Sequence, residues 1–147
     1  MILIIGYGNP IRGDDGVGHY IADILKGKNI PGAEIITAHQ LHVELLETAV
    51  LFDKVILVDA SQTSRDVGFG RIQASFDPFL NSSHHLTPGM FVRLAQTIYF
   101  KDIEVYLCSV RGENFDMGST LSPRVMSRSK KAVKLICSFL QGALQYA

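Results

Sequence analysis

The chain has 147 residues, of which 47% are hydrophobic and 19% are charged, a composition typical of a folded globular protein. Its 14 basic and 14 acidic residues give a net charge of zero, which excludes a strong overall attraction to nucleic acid or to a membrane surface. The length suits one domain, residues 1–147. Because no signal-like leader and no membrane-length apolar run is evident, a cytoplasmic protein is expected.

Segments with the periodicity of strands and of helices alternate along the chain. The patterns predict strands at 2–5, 33–37, 54–59, 69–75 and 104–110. Helices are predicted at 15–26 and after the capping pairs Thr87-Pro88 and Ser122-Pro123. A further helix is predicted where His39-Gln40-Leu41 leads into a segment with Leu41, Leu45, Leu46 and Ala49 along one face. This alternation indicates an α/β fold, a three-layer sandwich with helices on both faces of a mostly parallel central sheet of about five strands. Segment 69–75 is the one expected to break the parallel order.

The first strand leads into the most informative segment, GYGNPIRGDDGVG at residues 6–18. Asp14 and Asp15 lie there between the carboxyl end of a strand and the amino end of a helix, where open α/β sheets bind ligands. A dinucleotide site is disfavoured, because Ile11 stands where the GxGxxG fingerprint needs its third glycine and two carboxylates would repel a pyrophosphate. One aspartate is expected to cap the helix, which leaves the other free to hold a cation.

Two other loops bring metal-binding side chains to the same expected edge of the sheet. Asp59 closes the apolar strand at 54–59, and His84 and His85 precede the capped third helix. Two carboxylates and one imidazole suit borderline divalent ions such as zinc or nickel. Three protein ligands also leave coordination positions open for water or substrate, as a catalytic site requires. The pattern therefore predicts a metal site. The alternative for Asp59 is that its side chain only caps the turn after the strand.

The sequence argues against other hydrolytic sites. It contains neither the HExxH pattern of zinc proteases nor the GxSxG pattern of serine hydrolases. Cys108 and Cys137 fall in apolar elements and are expected to be free, buried, reduced thiols, so neither is a candidate nucleophile.

Five motifs together resemble one protein family. They are GYGNPIRGDDGVG at 6–18, HQLHVELLE at 39–47, KVILVDA at 54–60, HHLTPGMFVRLA at 84–95 and GSTLSPRV at 118–125. In this order they resemble the [NiFe]-hydrogenase maturation proteases, endopeptidases that remove the C-terminal extension of a hydrogenase large subunit.

The resemblance implies a set of site residues and a partner. Asp15, Asp59 and His84 would be the metal ligands and catalytic residues, with His85 as the alternative histidine. Nickel would be carried by the large-subunit precursor and recognised there, and zinc or cadmium could occupy the same ligands. Asp14 would act as a base or, in the interpretation we favour, only as a helix cap. The partner would be the precursor, with no nucleic acid and no membrane, and the protease would be a monomer.

Two other functions remain open from the residues alone. A general metal-dependent hydrolase would use the same three ligands but hold its own ion. A non-catalytic binding module for the hydrogenase subunit would bind the precursor without cutting it.

Overall fold

A computed structural model describes residues 1–63, 65–76 and 86–145 of the chain. Within these residues the strands are β1 (Ile2–Tyr7), β2 (Ala33–Ala38), β3 (Lys54–Ser61), β4 (Val67–Ile72) and β5 (Glu104–Arg111). The helices are α1 (Val17–Gly27), α2 (Leu46–Ala49), α3 (Pro88–Tyr99) and α4 (Pro123–Gln145), and short 3-10 turns cover Gly13–Gly16 and Val43–Leu45. None of the described helices is both long and apolar enough to cross a bilayer.

The strands form one sheet in the order β2-β1-β3-β5-β4. Strands β2, β1, β3 and β5 run parallel to one another, and β4 pairs antiparallel with β5. The prediction of a three-layer α/β sandwich with a mostly parallel sheet is confirmed. The prediction that the segment beginning near residue 69 breaks the parallel order is confirmed too, although this strand runs from Val67 to Ile72.

Alternation of side chains along the central strands divides the core into two layers. Ile4 and Ile56 are fully buried against α1 and α4, whereas Leu3 and Leu57 are fully buried on the opposite face against α2 and α3. Because helices cover both faces, β1 and β3 are continuous apolar runs instead of alternating ones. The two layers hold the carboxyl ends of β1 and β3 side by side.

Close backbone contact fixes the start of α1 against these strand ends. A Cβ atom at Gly18 would lie 2.7 Å from the carbonyl oxygens of both Tyr7 and Val58, so a larger residue would push the helix away from the sheet. The helix proper begins at Val17 and follows a 3-10 turn at Gly13–Gly16, two residues later than predicted. The 3-10 turn places two successive carboxylates at this edge of the sheet.

The predicted second helix, with Leu41, Leu45, Leu46 and Ala49 along one face, is confirmed from Val43 to Ala49, but it begins later than predicted and its first turn is a 3-10 turn. His42 has an extended backbone, with φ −137° and ψ 165°, and the α-helical part is only Leu46–Ala49. Leu41 is 2% exposed, and its carbonyl oxygen accepts a hydrogen bond of 2.9 Å from the Leu86 amide instead of one within a helix. Residues 39–42 therefore form a non-helical connection that bends after β2 and reaches the start of α3.

The cysteines only partly follow their prediction. Both are free, but Cys108 is buried and Cys137 is only partly buried. Burial raises the pKa of the Cys108 thiol to about 12, which makes it a poor nucleophile at neutral pH.

Candidate functional site

A cavity of about 430 Å³ opens at the carboxyl ends of the parallel strands. The ends of β1, β2 and β3, the turn before α1 and the start of α3 contribute its walls. Its lining residues are Tyr7, Gly8, Asp15, His39, Gln40, Leu41, Asp59, Leu86, Thr87 and Pro88. The cavity thus brings together Asp15 and Asp59, two of the three predicted site residues. His84 and His85 lie outside the described residues, and the described chain resumes at Leu86 in the cavity wall.

Asp15 is held in place by the turn that precedes it. Its Oδ2 atom accepts a hydrogen bond of 2.7 Å from the Asn9 amide, and the Asn9 side chain accepts one of 3.1 Å from the Ile11 amide. Gly8 has φ +139°, and a Cβ atom there would collide with the Asp15 carbonyl oxygen. The glycine is required by backbone conformation and by space, and the turn closes directly over Asp15.

Asp59 lies near the end of β3 in an environment that resists its ionisation. Burial contributes most to raising its pKa, and the negative charge of Asp15 adds to it. Hydrogen bonds from the Ala60 amide and the Tyr7 hydroxyl act in the opposite direction, and the resulting pKa is about 7. Burial and the bond to Asp59 raise the pKa of Tyr7 as well, so its hydroxyl stays protonated as a donor. Two carboxylates in one cavity favour a bound cation, because the negative charge of Asp15 raises the cost of charging Asp59 and a cation would offset it.

Asp14 does not cap α1, so the favoured interpretation of this residue is wrong. Gly16 occupies the N-cap position of α1, and no side chain caps the helix or the preceding 3-10 turn. The Asp14 side chain is 0% exposed, and its Oδ2 atom accepts from the amides of Glu113 and Asn114 at 2.7 and 2.8 Å. The amide and hydroxyl of Ser122 donate to the same carboxylate at 2.7 and 2.8 Å.

The Asp14 carboxylate therefore anchors the loop between β5 and α4. Although burial raises its pKa, the hydrogen bonds from Ser122, Asn114 and Glu113 together lower it below its usual range. The reason for this orientation lies in the backbone, because Gly13 has φ +59° and the amides of Gly13 and Asp14 bond to the carbonyls of Gly118 and Asn114, both at 2.8 Å. Two adjacent carboxylates thus face different parts of the molecule.

His39 is a cavity residue that the sequence reasoning did not assign. It directly follows β2, is exposed, and lines the cavity beside Gln40. The signal was available, since the residue after each parallel strand reaches the ligand-binding edge of such a sheet. It was missed because His39 was interpreted only as part of the segment that leads into the second helix.

His19 braces two walls of the same cavity from α1. Its Nε2 atom lies 2.8 Å from the Gly8 carbonyl oxygen and 3.0 Å from the Ala38 carbonyl oxygen. Both partners are acceptors, so this nitrogen carries the proton and donates to them. Gly8 lines the cavity and Ala38 precedes His39, so the histidine ties the end of β1 to the end of β2.

The donor set suits a metal only if another side chain joins it. Within the described residues, no group of three His, Cys, Asp or Glu side chains is arranged to hold an ion. Asp15 and Asp59 supply two oxygen donors to one cavity, and a nitrogen donor beside them would complete a site of the kind that binds first-row divalent ions. The remaining ligand would have to come from outside the described residues or from a bound partner.

Comparison with known proteins shows a relative in sequence that covers nearly the whole chain. The chain matches no protein-family model. A relative from Methanocaldococcus jannaschii, named as a hydrogenase maturation protease, is 31% identical over an alignment of 144 positions, and the match covers 92% of this chain and 93% of the relative.

Solved structures share the fold at lower sequence identity. The hydrogenase-maturating endopeptidase HybD of Escherichia coli superposes with a TM-score of 0.77 at 21% identity, covering 97% of this chain and 93% of that one. The [NiFe]-hydrogenase maturation protease HycI of Thermococcus kodakarensis gives a TM-score of 0.74 at 22% identity, covering 95% and 92% of the two chains. These structures have the same three-layer α/β architecture.

Proposed function

This chain belongs to the hydrogenase maturation protease family, and from that premise we propose that it removes the C-terminal extension of a [NiFe]-hydrogenase large-subunit precursor after nickel insertion. The supporting observation is that Asp15 and Asp59, which are 44 positions apart in the sequence, line one cavity. The cavity is open to solvent at the edge of the sheet, where a chain end can enter. We propose a monomer that acts in the cytoplasm, with no nucleic acid and no membrane as partner.

We propose that nickel reaches this cavity as part of the substrate. The carboxylates of Asp15 and Asp59 and the imidazole of His84, with His85 as the alternative, would contact the ion that the precursor carries. Mutual repulsion between the two carboxylates supports this role, because it is relieved when a cation enters. A cavity with few ligands and access to water would bind free ions with low affinity. Zinc or cadmium could occupy the same ligands in place of nickel.

The residues around the cavity would orient the two carboxylates for cleavage. A divalent ion supplies Lewis-acid polarisation of the scissile carbonyl and lowers the pKa of bound water. Asn9 restrains the rotation of the Asp15 carboxylate, and the Tyr7 hydroxyl restrains that of Asp59. His19 keeps the walls that carry Gly8 and His39 at a fixed separation. Prior orientation of this kind lowers the cost of reaching the productive geometry.

The test compares nickel-loaded and nickel-free precursor by intact mass after incubation with the protein. We expect loss of the C-terminal extension only from the nickel-loaded form. Asp15→Asn should reduce the processing rate by at least about a hundredfold, since it removes one charged ligand. Asp102→Asn is the matched control, because that carboxylate is exposed and lies outside the cavity lining.

Three results would contradict the proposal. Normal processing by Asp15→Asn would remove the cavity from the reaction. Cleavage of unrelated peptides with a metal ion and no precursor would indicate the general hydrolase. Tight binding of the precursor without any cleavage would indicate the binding module.

A further inference from the structure

We propose that the free edge of β2 is the docking site for an extended segment of the protein substrate, which pairs with this strand by main-chain hydrogen bonds and leads the scissile bond into the cavity. This inference rests on the proposed function. It identifies how the polypeptide next to the cleaved bond is held, which the cavity residues alone leave open.

The first observation is that β2 has an unpaired main-chain edge. It is the outermost strand of the sheet and pairs only with β1. The carbonyl oxygens of Gly32 and Ala38 accept from the amides of Ile2 and Gly8, so the even-numbered positions of β2 face β1. Since successive residues of a strand point their backbone groups to opposite sides, Ile35 and Thr37 direct their N–H and C=O groups away from the sheet. Within the described residues, neither group of either residue has a hydrogen-bond partner.

The second observation is that this edge carries little protection against pairing. Natural proteins block free strand edges with prolines, lysines or bulges. The strand reads AEIITA, with Glu34 as its single charged residue and no proline. An unblocked edge of this kind is a template for another extended chain.

The third observation is continuity with the cavity. The residues that directly follow β2, His39 and Gln40, line the cavity together with Asp15 and Asp59. A chain paired with Ile35 and Thr37 would continue past His39 into that space. The opposite edge strand, β4, offers no such path, because no residue of β4 lines the cavity.

The fourth observation is a second depression along the same strand. A groove of about 430 Å³ lies between the end of α1 and the first half of β2, and its walls include Leu25, Ile30 and Ile35. Lys26 and Glu34 also line it. From Ile35 in the groove to His39 in the cavity wall the chain advances four residues, or roughly 13 Å at about 3.3 Å per residue. A bound strand would therefore place one side chain in the groove several residues away from the cleaved bond, as in other edge-strand complexes.

Hydrogen exchange with mass spectrometry tests the proposed contact between the precursor and β2 without any substitution in β2. The protein used is the Asp59→Asn variant, which is expected to bind nickel-loaded precursor without cleaving it. If the wild-type protein itself does not cleave the precursor, the wild type is used instead. We expect exchange over residues 33–39 to slow at least fivefold on binding, while exchange over residues 67–72 in β4 stays unchanged. Unchanged exchange over residues 33–39 overturns the proposal. Protection that is already present without precursor and rises with protein concentration indicates a second copy of this chain on the edge and overturns it too.

A proline pair tests the energetic contribution. Thr37→Pro removes one outward N–H of β2, a change that edge strands accept when the lost N–H does not face the sheet. It should raise KM for the precursor about tenfold with kcat within twofold, as expected for the loss of one hydrogen bond and the local pairing around it. Arg71→Pro is the control, because the Asp66 carbonyl bonds to Arg111 and the odd-numbered positions of β4 therefore face outward as well. Equal effects of the two prolines, or none from Thr37→Pro in a folded protein, contradict the proposal.

The outcomes separate this inference from the proposed function. Cleavage by the wild type with no protection of residues 33–39 leaves the proposed function intact and removes the docking edge. Protection of residues 33–39 without cleavage supports the docking edge and removes the proteolytic function. Neither protection nor cleavage removes both.

Discussion

The two adjacent carboxylates of the first motif have opposite roles in the molecule. Asp14 is completely buried and satisfied by four donors of the loop that leads to α4. Asp15 lines an open cavity and shares it with Asp59, whose burial is not matched by comparable hydrogen bonding. The comparison shows that a buried charge can stabilise a fold when its donors are in place, whereas a buried carboxylate with fewer donors and a second carboxylate nearby is retained at a cost. The first arrangement is typical of an anchor and the second of a binding site.

The largest expected effect is that of Asp59→Asn on processing. Removal of this charge should lower the processing rate by at least about a thousandfold, comparable with the loss of a main electrostatic contribution at other sites. The measurement is the single-turnover rate on nickel-loaded precursor, with Asp102→Asn as the control. Processing by Asp59→Asn within tenfold of the wild-type rate would break the contrast between Asp14 as a structural anchor and the cavity carboxylates as the site of the reaction.

The same variant should be more stable than the wild type above neutral pH. The pKa of Asp59 is about 7 in the folded protein and about 3.8 when the chain is unfolded, so the folded state binds the proton more tightly. Its favourable contribution is full below pH 3.8 and is lost as pH rises through 7. Asp59→Asn removes that loss, which is at most about 4 kcal/mol for a shift of this size. The check is the difference in unfolding free energy between pH 6 and pH 8, which should be smaller in the variant.

Asp14→Asn, in contrast to Asp59→Asn, should lower the stability of the protein. The amide side chain cannot accept four hydrogen bonds, so the variant should lose about 3 kcal/mol of unfolding free energy at neutral pH. The pKa of Asp14 is lowered in the folded protein. Its contribution is therefore present above its unfolded pKa and is lost as pH falls through the lower folded value. Denaturant titrations at pH 7 and pH 3 should show the difference between wild type and variant shrinking in acid, and a difference that grows there would contradict the anchor role.

The smallest expected effect is that of His39→Ala. The side chain is exposed, so unfolding free energy should change by less than about 0.5 kcal/mol. If the imidazole contacts the substrate at the cavity rim, kcat/KM for the precursor should fall about tenfold, a loss of about 1.4 kcal/mol. His42→Ala is the matched control, three residues along the chain and outside the cavity lining. Equal activity of the two variants would limit the candidate site to the two carboxylates.

Local patterns in the sequence were enough to predict the layered fold. The apolar run at 54–59 requires cover on both faces, and the Thr87-Pro88 pair begins a helix where predicted, with the Thr87 hydroxyl accepting from the Met90 amide at 3.2 Å. The antiparallel direction of the strand near residue 69 was also predicted from the sequence. These features depend on neighbouring residues in the chain or on the burial of one face of an element. Both produce recognisable residue patterns in the sequence.

The roles of individual site residues depended on contacts between distant segments. Asp14 accepts from Glu113, 99 positions away, and the carbonyl of Leu41, which is not helical, accepts from the amide of Leu86. No local period encodes such pairings, since they arise when strand ends and loops converge at one edge of the sheet. The sequence by itself therefore determined the alternating elements, the layers and the position of the carboxylates at the strand ends. Only the tertiary structure decided which carboxylate is buried among donors and which one faces the cavity, because the solvation and partners of a charge are set by what surrounds it in space.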